Sequence, residues 1–137
     1  MKTIIAGSRN ITDYNLLLRA INSVSFDITE VVCGCADGPD KMGLMWARDN
    51  GIAVRFFPAW SHQMMWALDN RNSDEKVVDM PMVKNPKSAG FVRNHEMAKY
   101  AGAAIILWDG RSRGTEGMIA QARRYDLVVH LDTVSFL

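Results

Sequence analysis

The chain is poor in cysteine, in long apolar runs and in any surplus of charge of one sign. Its two cysteines, Cys33 and Cys35, stand one residue apart, too close for an ordinary unstrained disulfide. No second pair exists to complete a four-thiolate zinc site, and His62 and His130 have no ligand spacing, so no metal or other cofactor is expected. The two thiols read as reduced side chains near the end of a buried strand, the usual state in a reducing compartment. The longest strongly apolar run, Ala101–Trp108, has about eight residues, against roughly 20 for a bilayer span. Met1-Lys2 leads into Thr3-Ile4-Ile5 without a signal-peptide layout, so the expected location is the cytoplasm, with no membrane partner. Sixteen Lys+Arg against fifteen Asp+Glu leave a formal charge of +1, which supplies no global field to gather a polyanion. Anion binding must then be local.

The 137 residues, 48% hydrophobic and 23% charged, predict one globular domain that buries roughly 68% of its unfolded-chain surface. Short apolar runs alternate with segments of helical spacing, the pattern of parallel strands joined by crossover helices. The expected class is α/β, a doubly wound parallel sheet of about five strands with helices on both faces. Strands are expected at Thr3–Ala6, Glu30–Cys33, Ile52–Phe57, Ala101–Trp108 and Leu127–Leu131. Asp13 is positioned to cap a helix carrying Leu16, Leu17, Ala20, Ile21 and Val24. Further helices are expected at Lys41–Asn50, stopped by Gly51, and at Gly114–Tyr125. Pro58 to Pro86 breaks the rhythm and reads as a long excursion, either a lid or a decorated surface loop, in which Met64, Met65, Trp66 and Leu68 form a short helical turn.

Ligands of open parallel sheets sit beyond the carboxyl ends of the strands, so the turns after strands carry the functional reading. Gly7-Ser8-Arg9 combines bare backbone, a hydroxyl and a guanidinium, suited to a phosphate or carboxylate. Gly34 to Asp40 follows the second strand: Gly34 and Gly38 permit backbone geometry closed to other residues, Asp40 reads as a helix cap, and Asp37 is open to capping or to a ribose hydroxyl. The strongest signal is Asp109-Gly110-Arg111-Ser112-Arg113-Gly114-Thr115-Glu116-Gly117, a glycine-rich loop running into a helix N-terminus, where amides and dipole favour an anion. It lacks the lysine of a Walker loop and is not Gly-x-Gly-x-x-Gly. Ser88 resembles an N-cap for a helix carrying Arg93 and Met97 one turn apart. His95, about 200° round from Arg93, is expected to face solvent.

Together Gly7-Ser8-Arg9, Gly34 through Asp37-Gly38 and Asp40, Phe57-Pro58-Ala59-Trp60, Ala89-Gly90 through Arg93-Asn94 and Met97, and Asp109-Gly110 through Gly114-Thr115 make the chain resemble the YspA/YpsA-related branch of the SLOG superfamily. That superfamily is named for the DNA-processing protein DprA/SMF and the cytokinin-activating LOG enzymes. The resemblance implies a Rossmann-like fold and a site for nucleotides or nucleotide-derived ligands on Gly7, Ser8, Arg9, Gly34, Asp37, Gly38, Arg93, Asn94, Gly110, Arg111, Ser112, Gly114 and Thr115. LOG enzymes hydrolyse the N-glycosidic bond of nucleoside monophosphates with an arginine and a glutamate, which maps Arg93, and Glu116 as the nearest carboxylate, onto catalysis. Here the sequence departs from the LOG pattern Gly-Gly-x-Gly-Thr-x-x-Glu: Arg111-Ser112 replace Gly-Gly, and Met118 stands where the glutamate belongs. Residues 61–86 read as an insertion relative to the family.

Three functions follow from this reading: binding of a small nucleotide-derived ligand, phosphoribohydrolase action on a nucleoside monophosphate, and single-stranded DNA binding of the DprA kind on arginines and Trp60, Trp66 or Trp108. The resemblance also implies pairing of copies into a homo-oligomer.

Overall fold

Four consecutive buried residues, Thr3-Ile4-Ile5-Ala6, form the middle of strand β1 (Lys2–Gly7). Burial on both faces is what a central parallel strand demands, and β1 lies between β2 (Glu30–Cys33) and β5 (Ala103–Trp108), parallel to both, with Ile4 beside Val32 and Ala104. The computed structural model describes residues 1–80 and 85–136. With β3 (Ala53–Phe56), β4 (Lys76–Val77) and β6 (Val128–Thr133), the strands make one parallel sheet in the order β4-β3-β2-β1-β5-β6. The chain thus has the α/β, Rossmann-like architecture expected, with six strands instead of about five.

The sixth strand lies inside the segment expected as an irregular excursion. That segment holds a ten-residue helix, α3 (Ser61–Asn70), in place of one helical turn, and β4 then pairs Lys76 with Arg55 and Val77 with Phe56 at the sheet edge. Residues 81–84 of the expected insertion lie outside the described residues. A buried carboxylate ties the segment down: both oxygens of Glu75 accept from Arg48, at 3.0 Å from Nε and 2.6 Å from Nη2.

Period-two alternation divides the strand side chains between two cores. Ile5, Val31, Cys33, Phe56, Ile105 and Leu107 face α1 (Tyr14–Ser23) and α2 (Pro39–Asp49), with Ala67 of α3. Ile4, Ala6, Val32, Ala104 and Ile106 face α4 (Ala89–Tyr100) and α5 (Arg113–Arg124) through Met97, Ala98, Met118, Ile119 and Ala122. Asp13 caps α1 as expected, its carboxylate accepting from the Asn15 amide at 3.0 Å. A 3-10 turn, Pro86–Ser88, leads into α4, and it is Asn85, accepting from the Lys87 amide, that caps this entry; Ser88 makes no side-chain cap bond.

Candidate functional site

From β1 the sheet grows in opposite directions, to β2 through α1 and to β5 through α4, and this reversal opens a crevice at the carboxyl ends of β1 and β5. A cavity of about 640 Å³ occupies it. Its floor is the end of β1, where Ser8 is 1% exposed. The Ser8 amide donates to the Leu107 carbonyl at 3.0 Å, and its hydroxyl accepts from the Asp109 amide at 3.0 Å and lies 3.4 Å from the Thr115 hydroxyl. Ser8 and Thr115 therefore stitch β1 to β5 and α5 beneath the cavity. Arg9 is exposed at its margin.

The glycine-rich loop spends part of its donor set on itself. Asp109 Oδ1 accepts from the amides of Ser112 at 2.8 Å and Arg111 at 2.9 Å, bonds that hold this carboxyl below the usual carboxylate range. Gly110, with φ +79°, makes the turn. The amides left without a partner among the described residues are those of Arg113, Gly114 and Thr115, the first turn of α5. All three residues border the cavity, and a Cβ on Gly114 would meet nothing within 4 Å. Gly110 and Arg111, expected to hold phosphate, lie outside the lining; Ser112, Gly114 and Thr115 belong to it.

Across the crevice, Arg93 of α4 is buried and donates through Nη1 to the Gly34 carbonyl, to Gln63 Oε1 at 3.3 Å and to the Phe57 carbonyl at 3.5 Å. Its Nε donates to Asn94 Oδ1 at 2.9 Å, and Asn94 Nδ2 reaches the Gly114 carbonyl at 3.3 Å. One guanidinium thus joins the ends of β2 and β3, α3 and α4, and through Asn94 touches the α5 turn. Beside it is Asp40, 4% exposed on the cavity wall, accepting from the Ala36 amide at 3.3 Å. Burial pushes the Asp40 carboxyl up to about 6, against the opposing pull of Arg93 and nearby amides. Sequence reasoning assigned Asp40 to a cap. In the structure Gly38 holds that position at φ +81°, and Asp40 lies in the first turn of α2.

Several expected site residues stand elsewhere. Asp37 is exposed and paired with Lys41 at 2.7 Å, which lowers its pKa; like Gly34 and Gly38 it does not border the main cavity. Glu116 is exposed and outside the lining, because Thr115, Met118, Ile119 and Ala122 define the buried stripe of α5 and Glu116 falls about 100° off it. His95 does not face solvent: it is half-buried between α4 and α5, within hydrogen-bond distance of the Tyr125 hydroxyl. Cys33 and Cys35 are free and buried, and the Cys35 side chain together with burial pushes the Cys33 thiol well above its usual value. Among the described residues no group of three or more His, Cys, Asp or Glu side chains is placed to hold a metal ion. No described helix is long and apolar enough to cross a membrane.

The lining that sequence reasoning missed includes Asp40, Gln63 and Lys87. Four cations, Arg9, Lys87, Arg93 and Arg113, stand there against two carboxylates, Asp40 and Asp109. A chain of almost no net charge therefore concentrates a positive excess of two at this crevice.

No protein-family model matches the sequence, and no curated protein does. Among solved structures, 99% of the chain superposes on the X-ray structure of DNA processing protein A (DprA) from Streptococcus pneumoniae, with a TM-score of 0.75 and 19% sequence identity, covering 51% of that chain. The protein therefore shares the Rossmann-like fold of this structural neighbour and spans about half its length.

Proposed function

We propose that the protein binds a nucleotide or nucleotide-derived ligand in the switch-point cavity, with a phosphate on the amides of Arg113, Gly114 and Thr115. The observation that carries this reading is that these three donors have no partner among the described residues and border a cavity of positive excess. A helix N-terminus attracts an anion through its partial positive charge and its unpaired N–H groups, and the bare Cα of Gly114 lets phosphate oxygens approach. Arg9 and Arg113, both exposed, supply countercharge at the margin.

Calorimetric titration with nucleoside mono- and diphosphates tests the proposal. Heat of binding is expected for the wild-type chain and its loss for Gly114→Asp, which sets a carboxylate among the three amides. No binding of any nucleotide overturns it.

The likeness to a DNA processing protein favours a second reading, in which the phosphate belongs to single-stranded DNA. Affinity for labelled oligonucleotides that falls steeply with salt, without affinity for free nucleotides, distinguishes it. The phosphoribohydrolase reading gains nothing from Glu116, which stands outside the cavity; the carboxyl groups bordering it are Asp40 and Asp109.

A further inference from the structure

Resting on that phosphate site, we propose that Trp60 is the stacking platform for the planar base at the ligand's other end, so that the ligand is an aromatic nucleoside phosphate and not a bare sugar phosphate. Trp60 is the one tryptophan of four that borders the cavity. Trp66 stands edge-on to Phe56 with centroids 5.9 Å apart, Trp108 donates to the Ser112 carbonyl, and Trp46 packs on the α2 core.

The indole is set before any ligand arrives. Its Nε1 donates to the Pro86 carbonyl at 2.8 Å, and α4 comes so close that a Cβ on Gly90 would lie 3.1 Å from the ring. His62, which does not border the cavity, stacks at 11° and 6.0 Å and backs the ring. The Arg93 guanidinium stands 6.0 Å from its centroid. A ring held in this way loses little conformational freedom on binding, and stacking accepts any base because every base has a π-face.

Space and spacing agree with two poles. The cavity of about 640 Å³ far exceeds a phosphate, given that a water occupies about 30 Å³ in the liquid. Trp60 follows β3 and the phosphate turn follows β5, so the indole and the amides border the one cavity from the ends of different strands. A sugar between base and phosphate joins two such poles. One fixed indole, with Phe91 exposed at the rim, suits a single base, whereas a nucleic-acid strand needs successive platforms.

Calorimetry with ribose 5-phosphate, adenosine 5′-monophosphate and cytidine 5′-monophosphate tests the proposal on the wild-type chain, Trp60→Leu and Trp60→Phe. Wild type is expected to bind the nucleotides at least about tenfold more tightly than ribose 5-phosphate. Trp60→Leu should lose that margin while keeping its ribose 5-phosphate affinity, and Trp60→Phe should keep most of it. Equal affinity of the wild type for nucleotide and sugar phosphate overturns the platform and leaves the phosphate site standing. Equal loss for both ligands in Trp60→Leu, with the wild-type margin retained in a folded protein, also overturns it. If Trp60→Leu fails to fold, Trp60→Phe and the wild-type margin decide. No binding of any probe removes the phosphate site itself.

Discussion

The carboxyl of Asp40 and the guanidinium of Arg93 flank the bare α-carbon of Gly34: a Cβ there would lie 2.7 Å from Asp40 Oδ2 and 3.0 Å from Arg93 Nη1. The end of β2 thus has glycine because two charged side chains from α2 and α4 occupy the space a larger residue would take. Arg93→Met removes the countercharge of a buried carboxyl and leaves the Gly34 carbonyl and Gln63 short of a donor. Truncating one partner of such an arrangement costs about 3 kcal/mol, measured by urea unfolding. Arg93→Lys should recover less than half, because one ammonium cannot span partners on four elements.

Asp40 makes stability fall as pH rises. Folding raises this carboxyl from 3.8 to about 6, so the folded chain still holds a proton that the unfolded chain has released. The associated stability is complete below about pH 4 and is lost as pH climbs through 6. Asp40→Asn imitates the protonated acid at every pH. Between pH 4 and pH 7 the wild type should lose about 2 kcal/mol relative to this variant, read from paired denaturation curves. A pH-independent difference between the two proteins contradicts the buried setting of Asp40.

Two glycines at the crevice should respond oppositely to alanine. At Gly7 a Cβ would lie 2.2 Å from the Leu107 carbonyl oxygen and 2.7 Å from Pro39 Cγ, so Gly7→Ala must push β1 from β5 and should cost about 3 kcal/mol. At Gly114 nothing stands within 4 Å and the backbone is helical. Gly114→Ala should stabilise the ligand-free protein by about 0.5 kcal/mol while weakening nucleotide binding, since the added methyl enters the space the phosphate needs. Thermal unfolding and calorimetry on the same samples separate the two effects.

The central strands were legible because strands buried on both faces write themselves as unbroken apolar runs, as in Thr3–Ala6 and Ala103–Trp108. The α5 N-terminus was legible for a similar reason, a glycine-rich turn after such a run. Strand β4 was not, since two residues beside Asp74-Glu75 carry no periodicity and are strand only by lying against Arg55 and Phe56. Helix α3 buries just Gln63 and Ala67, too narrow a stripe to distinguish from a turn. Asp40 misled because an acid at a helix start reads as a cap, and its burial depends on Gly34 and Arg93, remote from it in sequence or meaning. Glu116 misled through proximity along the chain: one residue from buried Thr115 is 100° around the helix. His95 was placed correctly relative to Arg93, but α5 covers that side of α4 as well.

The Arg48–Glu75 pair yields the last prediction, of opposite sign to that of Asp40. Burial alone would raise the Glu75 carboxyl; the bonds from Arg48 and from the Asn72 amide at 2.8 Å outweigh it and lower the pKa. Stability from this group is therefore present above the unfolded pKa and lost as pH falls through the folded one. Because Arg48 is partly exposed, Glu75→Gln should cost about 2 kcal/mol near pH 7, less than a fully buried pair, with the cost fading in acid. The damage should be local first. Hydrogen exchange is expected to quicken at the Val78 amide, which bonds the Phe56 carbonyl, while the β1–β5 ladder keeps its protection. Since α3 supplies Gln63 to Arg93 and begins beside Trp60, the variant should also bind nucleotide more weakly although Glu75 borders no part of the cavity. Unchanged affinity alongside faster exchange at Val78 would mean that the α3–β4 strap and the ligand site are energetically separate.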